Sequence, residues 1–178
     1  MHRAFRGAPF AAVLLMGILP GGAADAQVQW TIQQDARHDR QHLDLVFGSG
    51  GANVFGFTPG LLYGFPVLPQ GFTPALNDSL EVEAGLHLHA WFATNDTYLW
   101  ITPVGGARYN LWLTRSVDVF FTLKLGWAIG LDSRYRGGIY GFGGLGLDWF
   151  FAPSTAIRVE LGGGRGGGTA QVGLRFDL

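Results

Sequence analysis

Residues 79–92, S-L-E-V-E-A-G-L-H-L-H-A-W-F, limit what this chain can fold into more than any other stretch. Leu80, Val82, Ala84, Leu86, Leu88, Ala90 and Phe92 alternate with Glu81, Glu83, Gly85, His87, His89 and Trp91. Successive side chains of a strand point to opposite sides, so the run has one apolar edge and one polar edge. Wound as a helix, the same residues would scatter charge around every side. At about 3.3 Å per residue the run extends roughly 40 Å, enough to cross the hydrocarbon core of a bilayer at a tilt. The expectation is a membrane-crossing strand.

Composition favours the same reading. Charged residues are 14% of the chain, against about 25% in a soluble domain. Lys124 is the single lysine, and Glu81, Glu83 and Glu160 are the three glutamates. After the N-terminal region no stretch offers roughly 18 consecutive apolar residues, so a spanning helix is not expected. A closed β-barrel is then the economical way to satisfy every backbone donor and acceptor in lipid. The net charge of −1 gives no reason to expect a nucleic-acid partner. Without cysteine, disulfides, thiolate metal sites and a lipid-modified N-terminus are excluded.

The N-terminal residues read as targeting rather than fold. Arg3 and Arg6 precede an apolar run over 9–19, then Pro20, Gly21 and Gly22, then the small-residue site Ala24-Asp25-Ala26. That order predicts a cleaved secretory signal peptide over 1–26. Residues 27–41 read as a polar lead-in, in which Val28, Trp30 and Ile32 alternate and allow a short extra strand. Residues 42–178 read as the barrel.

Alternation predicts eight strands. The first pairs Leu43, Leu45 and Phe47 with His42, Asp44 and Val46 on the other face, and the second runs over 53–65, interrupted at Pro59. Three prolines make 66–77 a loop, because proline cannot donate into a ladder. Strands over 79–92, 98–113, 117–131, 139–151, 156–163 and 169–178 follow. With both barrel termini in the periplasm, the tight turns at 114–116 and 152–154 fall there, where turns are short, and so does the long 66–78 connection. The loops at 48–52, 93–96, 132–138 and 164–168 fall outside. The run G-G-G-R-G-G-G at 162–168 lacks the Gly-Lys-Ser/Thr ending and following helix of a phosphate loop, and reads as a hairpin loop.

The export signal, the aromatic-rich hairpins around T-R-S and A-P-S, and the final strand ending G-L-R-F-D-L resemble small Gram-negative outer-membrane β-barrel proteins of the eight-stranded type. The resemblance covers about residues 42–178. It implies a closed antiparallel up-and-down transmembrane barrel in the cell outer membrane, a monomer bordered by lipid and lipopolysaccharide. It also implies that the last strand is read by the barrel-assembly machinery, although its aromatic is Phe176, two residues before Leu178. Fold likeness of this kind does not fix an activity.

The inward face is where chemistry would reside. It is expected to gather Glu81, Glu83, Asp118, Asp148, Glu160 and Asp177 with Arg108, Lys124, Arg158 and Arg175. Turn lengths set Glu81 or Glu83 across from Arg108, and Asp148 across from Arg158, close enough to pair. An eight-strand barrel is just wide enough to fill with side chains, and unpaired buried charge is costly, so a plugged, charge-neutralised lumen is expected. A narrow ion path is the alternative. His87 and His89 share a face near Glu83 and form a weak metal candidate with no evident third ligand. No cofactor is expected.

Two further alternatives differ in class. A lipid-modifying outer-membrane enzyme needs a serine within reach of a histidine. The inward Ser79 and His87 stand eight residues apart, about 26 Å along the strand, and no His-x-Ser occurs. A soluble exported barrel of the lipocalin type would turn the apolar face inward and clothe its exterior in Lys and Glu, which this chain lacks.

Overall fold

The structure, a computed structural model, describes residues 39–50, 55–72, 76–92, 96–131, 137–164 and 167–178. The expected signal peptide, nearly all of the lead-in, and residues 51–52, 93–95, 132–136 and 165–166 of the expected outer loops lie outside these residues. Eight antiparallel strands follow one another around a closed barrel: β1 (His42–Gly50), β2 (Phe55–Leu68), β3 (Asp78–Phe92), β4 (Thr97–Thr114), β5 (Val117–Gly130), β6 (Gly138–Ala152), β7 (Thr155–Gly164) and β8 (Gly167–Asp177). Closure is a nine-pair ladder between β1 and β8, from His42 opposite Asp177 to Gly50 opposite Thr169.

Each inward residue alternates with an outward one, and the two faces differ in chemistry. Leu86, Leu123 and Val172 are 47%, 63% and 51% exposed, while Glu81, Arg108 and Arg158 between them are fully buried. This phase rules out the lipocalin arrangement, in which the apolar face would line the interior. Aromatic side chains gather outside at both ends of the strands. Phe57 meets Phe47, Phe55 and Phe92 at the end away from the tight turns, and Tyr63, Trp149 and Phe151 stand exposed at the opposite end. Two aromatic bands flanking an apolar belt match what a barrel in lipid presents at its two interfaces.

The end that carries the tight turns is stitched together by backbone hydrogen bonds beyond the strand ladders. Asn77, Ser116, Ser154 and Gln41 carbonyls accept from the amides of Trp112, Phe150, Asp177 and Leu178, at 2.8–2.9 Å. Each turn thus satisfies the last free amide of a neighbouring strand, which lipid could not do.

Four expectations from alternation need correction. β2 continues through Pro59 and Pro66 to Leu68, so the connection to β3 is shorter than residues 66–77. Proline is tolerated because the β2–β3 ladder passes from Phe57–Ala90 to Gly60–His87 without a pairing at Pro59. Pro103 sits in the same kind of gap between β4 and β5. The glycine run is less of a loop than expected, since Gly162, Gly163 and Gly164 pair with Thr169, Gly168 and Gly167. Asp78, expected in the loop, opens β3 and lies on the outward side, yet is buried. The connection folds back over it, so that Asp78 Oδ2 accepts from the Phe72 amide at 3.1 Å and the Tyr109 hydroxyl at 2.7 Å. Gly71, at φ +61°, makes that approach possible, because a Cβ there would fall 2.1 Å from the Asp78 carboxylate.

Candidate functional site: the barrel lumen

The lumen is layered along its length. Trp112, Phe150 and Ala156 form an apolar cluster at the tight-turn end. Next comes the charged layer, and beyond it Val46, Leu62 and Val104 pack with Tyr140. His87, His89 and Trp100 occupy the far end, the His89 ring stacked on Trp100 at 4.7 Å.

Inward glycines make room for the large side chains. A Cβ on Gly146 would lie 2.2 Å from the Phe120 ring, and one on Gly64 would lie 2.1 Å from the His42 ring. Each ring therefore occupies the space that a side chain on its paired neighbour would fill. Phe120 in turn offers its ring to Arg108, whose guanidinium carbon is 3.7 Å from the centroid, and to Arg158, at 4.6 Å. Such cation–π contacts strengthen when water is excluded.

The structure brings all ten expected network residues into the interior. Glu81 stands opposite Arg108 and Asp148 opposite Arg158 in the strand ladders. The shortest ionic contacts nevertheless run elsewhere, because long side chains lean along and across the lumen. Arg108 donates from Nη2 to Asp118 at 2.9 Å and to Asp148 at 2.5 Å, and from Nε to Asn110. Arg175 donates to Asp177 at 2.9 Å, to Asp148 at 3.4 Å and to Glu81 at 3.5 Å. Lys124 reaches both Glu160 and Glu83 at 3.3 Å.

Arg158 makes the telling contact. Its Nη2 donates to Glu83 Oε1 at 2.8 Å, and its Nη1 pairs with Asp44. In the barrel order β7 and β3 are separated by the same number of strands in either direction, so they are opposite walls. Side chains from those walls touch. Asp148 accepts from Arg108 and Arg175 and lies 3.6 Å from Arg158, so three strands' cations converge on one carboxylate.

His42 and Asp44 are members of this layer that the inward list omitted. Both are fully buried, His42 within 3.3 Å of Asp44 and 3.8 Å of Glu81 and Glu83. Their alternation with Leu43 and Leu45 marks them as inward, but their neighbours come through the β1–β8 closure and across the lumen, which no hairpin turn encodes. His87 and His89 stand apart from the charged layer, ring centroids 5.9 Å apart. Among the described residues, the one set of three side chains able to ligate a common metal is His42, Asp44 and Glu83, not the His87–His89 pair.

No family model matches the sequence, and no curated protein matches it. Solved structures do. A de novo designed transmembrane β-barrel aligns with 79% of this chain and 96% of its own, at 16% identity and a TM-score of 0.50. The Yersinia pestis outer-membrane protein Ail in a phospholipid bilayer nanodisc aligns with 79% of this chain and 99% of its own, at 13% identity and a TM-score of 0.50. Crystalline Ail in complex with the heparin analogue sucrose octasulfate aligns with 78% and 97%, at 10% identity and the same score. At these identities the likeness is one of fold, and the fold of this chain is that of the small eight-stranded outer-membrane β-barrels.

Proposed function

We propose that the chain is a non-enzymatic outer-membrane barrel, monomeric, whose lumen is closed by its own ion pairs and whose role is structural or interactive at the cell surface. The observation that carries the closed lumen is the 2.8 Å contact of Arg158 with Glu83 from the opposite wall. A water-filled path through the charged layer would have to part these groups, and separating buried charges is costly. The exposed apolar belt with its aromatic bands supports a lipid-facing exterior. Export, and insertion through a last strand read by the barrel-assembly machinery, follow from the sequence pattern.

Among the described residues, neither of the hydroxyl groups nearest to the lumen histidines is set up for acyl transfer. The Ser79 hydroxyl accepts from Asn110 Nδ2 at 3.0 Å, far from His87 along the same strand. Thr58 Oγ1 does meet His89 Nδ1 at 3.1 Å, but both are buried and the imidazole is held in its stack with Trp100. Surface contact is left to the loops at 132–138 and 164–168. Their Arg134, Arg136 and Arg165 suit the phosphates of lipopolysaccharide.

Planar-bilayer recording and protease shaving test this reading together. The purified barrel is expected to give no steady conductance, and intact cells to lose the 132–138 loop to added protease. Stable ohmic channels from the pure protein would refute the closed lumen. Recovery of the protein in the periplasmic wash without detergent would refute the location.

A further inference from the structure

The charged layer holds more acids than arginines and lysines. Its cations are Arg108, Lys124, Arg158 and Arg175, and they face Asp44 and Asp177 in addition to Glu81, Glu83, Asp118, Asp148 and Glu160, all buried. Carboxylates therefore exceed cationic side chains. An interior shielded from water is costly to leave with uncompensated charge.

One polar group is left over in the same layer. The His42 imidazole is fully buried, and neither of its ring nitrogens makes a hydrogen bond. It nevertheless points into a cluster of acids, with Nε2 3.3 Å from Asp44 and 3.8 Å from Glu83, and Nδ1 3.8 Å from Glu81. Gly64 makes room for the ring, because any side chain there would occupy its place. One ligand atom from each of His42, Asp44 and Glu83 lies within 4.8 Å of the other two.

We propose that His42, Asp44 and Glu83 bind a divalent transition metal of the zinc or manganese class inside the barrel. One imidazole with two carboxylates is a donor set those ions accept, whereas calcium and magnesium prefer oxygen alone. The ion would add positive charge to a layer in which acids outnumber arginine and lysine. Arg158 touches both acids, and Lys124 at 3.3 Å and Arg108 at 3.7 Å also reach Glu83, so it is Asp44, whose Oδ1 has no hydrogen-bond partner, that keeps a carboxylate oxygen free for the ion. Glu81 stands beside the ring as an outer-sphere acceptor. The site concerns the interior alone and holds whichever surface role the barrel plays.

Isothermal titration of the chelator-treated, detergent-extracted barrel with zinc chloride, and separately with manganese chloride, tests it. The expected result is saturable uptake of one ion per chain, weakened at least tenfold by His42→Gln and unchanged by His87→Ala. X-ray absorption at the zinc edge of the loaded, unsubstituted barrel gives a readout that needs no variant. It is expected to show one imidazole with oxygen ligands. Absence of saturable uptake, uptake indifferent to His42→Gln, or a zinc shell with two imidazoles would each overturn the proposal, the last by placing the ion at His87 and His89.

Discussion

At the scale of single residues, the interior is organised by what sits beside each guanidinium. Arg108 touches acids from β3, β5 and β6 and lies over Phe120. Replacing Arg108 with Met removes the cation and leaves Asp118 and Asp148 facing each other. Loss of one partner from a buried pair typically costs about 3–5 kcal/mol. Arg108→Met is therefore expected to lower the urea midpoint of the refolded barrel markedly, measured by loss of the heat-modifiable gel band. An unchanged midpoint would mean that the network does not hold the interior. Gly146 makes a second residue-scale test, since a Cβ there meets the Phe120 ring at 2.2 Å. Gly146→Ala is expected to destabilise by about 1–3 kcal/mol, the usual cost of overpacking, with much of the loss restored by Phe120→Leu in the same chain. These packing relations were not legible from alternation. The sequence marks Phe120 and Gly146 as inward, but not that one lies on the other, which depends on the β5–β6 register.

Among the strands, legibility followed the regularity of the pattern. β3 and β5, with their uninterrupted alternation, have the faces and nearly the ends that the residues imply. β2 was harder because Pro59 and Pro66 argue locally against a strand; Pro59 is skipped by the β2–β3 ladder, and Pro66 lies beyond the β1–β2 ladder at a register shift opposite β3. The same limit hid Asp44 and His42, whose contacts depend on β1 meeting β8. Closure can be tested directly because the chain has no cysteine of its own. Leu45 and Leu174 are paired across that seam. Opposed residues in antiparallel strands have Cα atoms about 4.5–5.5 Å apart, within the span of a disulfide. Leu45→Cys with Leu174→Cys is expected to form an intramolecular disulfide under mild oxidation, seen as a mobility shift reversed by reductant. Leu45→Cys with Val172→Cys, offset along the strand, is expected to form far less. Equal yields from the two pairs would contradict the register.

The whole molecule turns on which face meets lipid. Leu123 lies midway along β5 and is 63% exposed, beside inward Thr122 and Lys124, which are buried. Leu123→Arg is expected to destabilise the barrel in bilayers by about 2–4 kcal/mol, as a charge on the lipid face near the midplane does. In a soluble barrel the same substitution at an exposed position would cost little. The central claim is tested most directly by attaching a nitroxide to single cysteines along 118–128 in proteoliposomes and measuring collision with oxygen, which concentrates in the hydrocarbon. Oxygen accessibility is predicted to rise and fall with period two, high at Val119, Phe121, Leu123, Leu125 and Trp127 and low at Asp118, Phe120, Thr122 and Lys124. The opposite phase, or no alternation, would contradict a barrel that turns its apolar face to lipid and its charges inward.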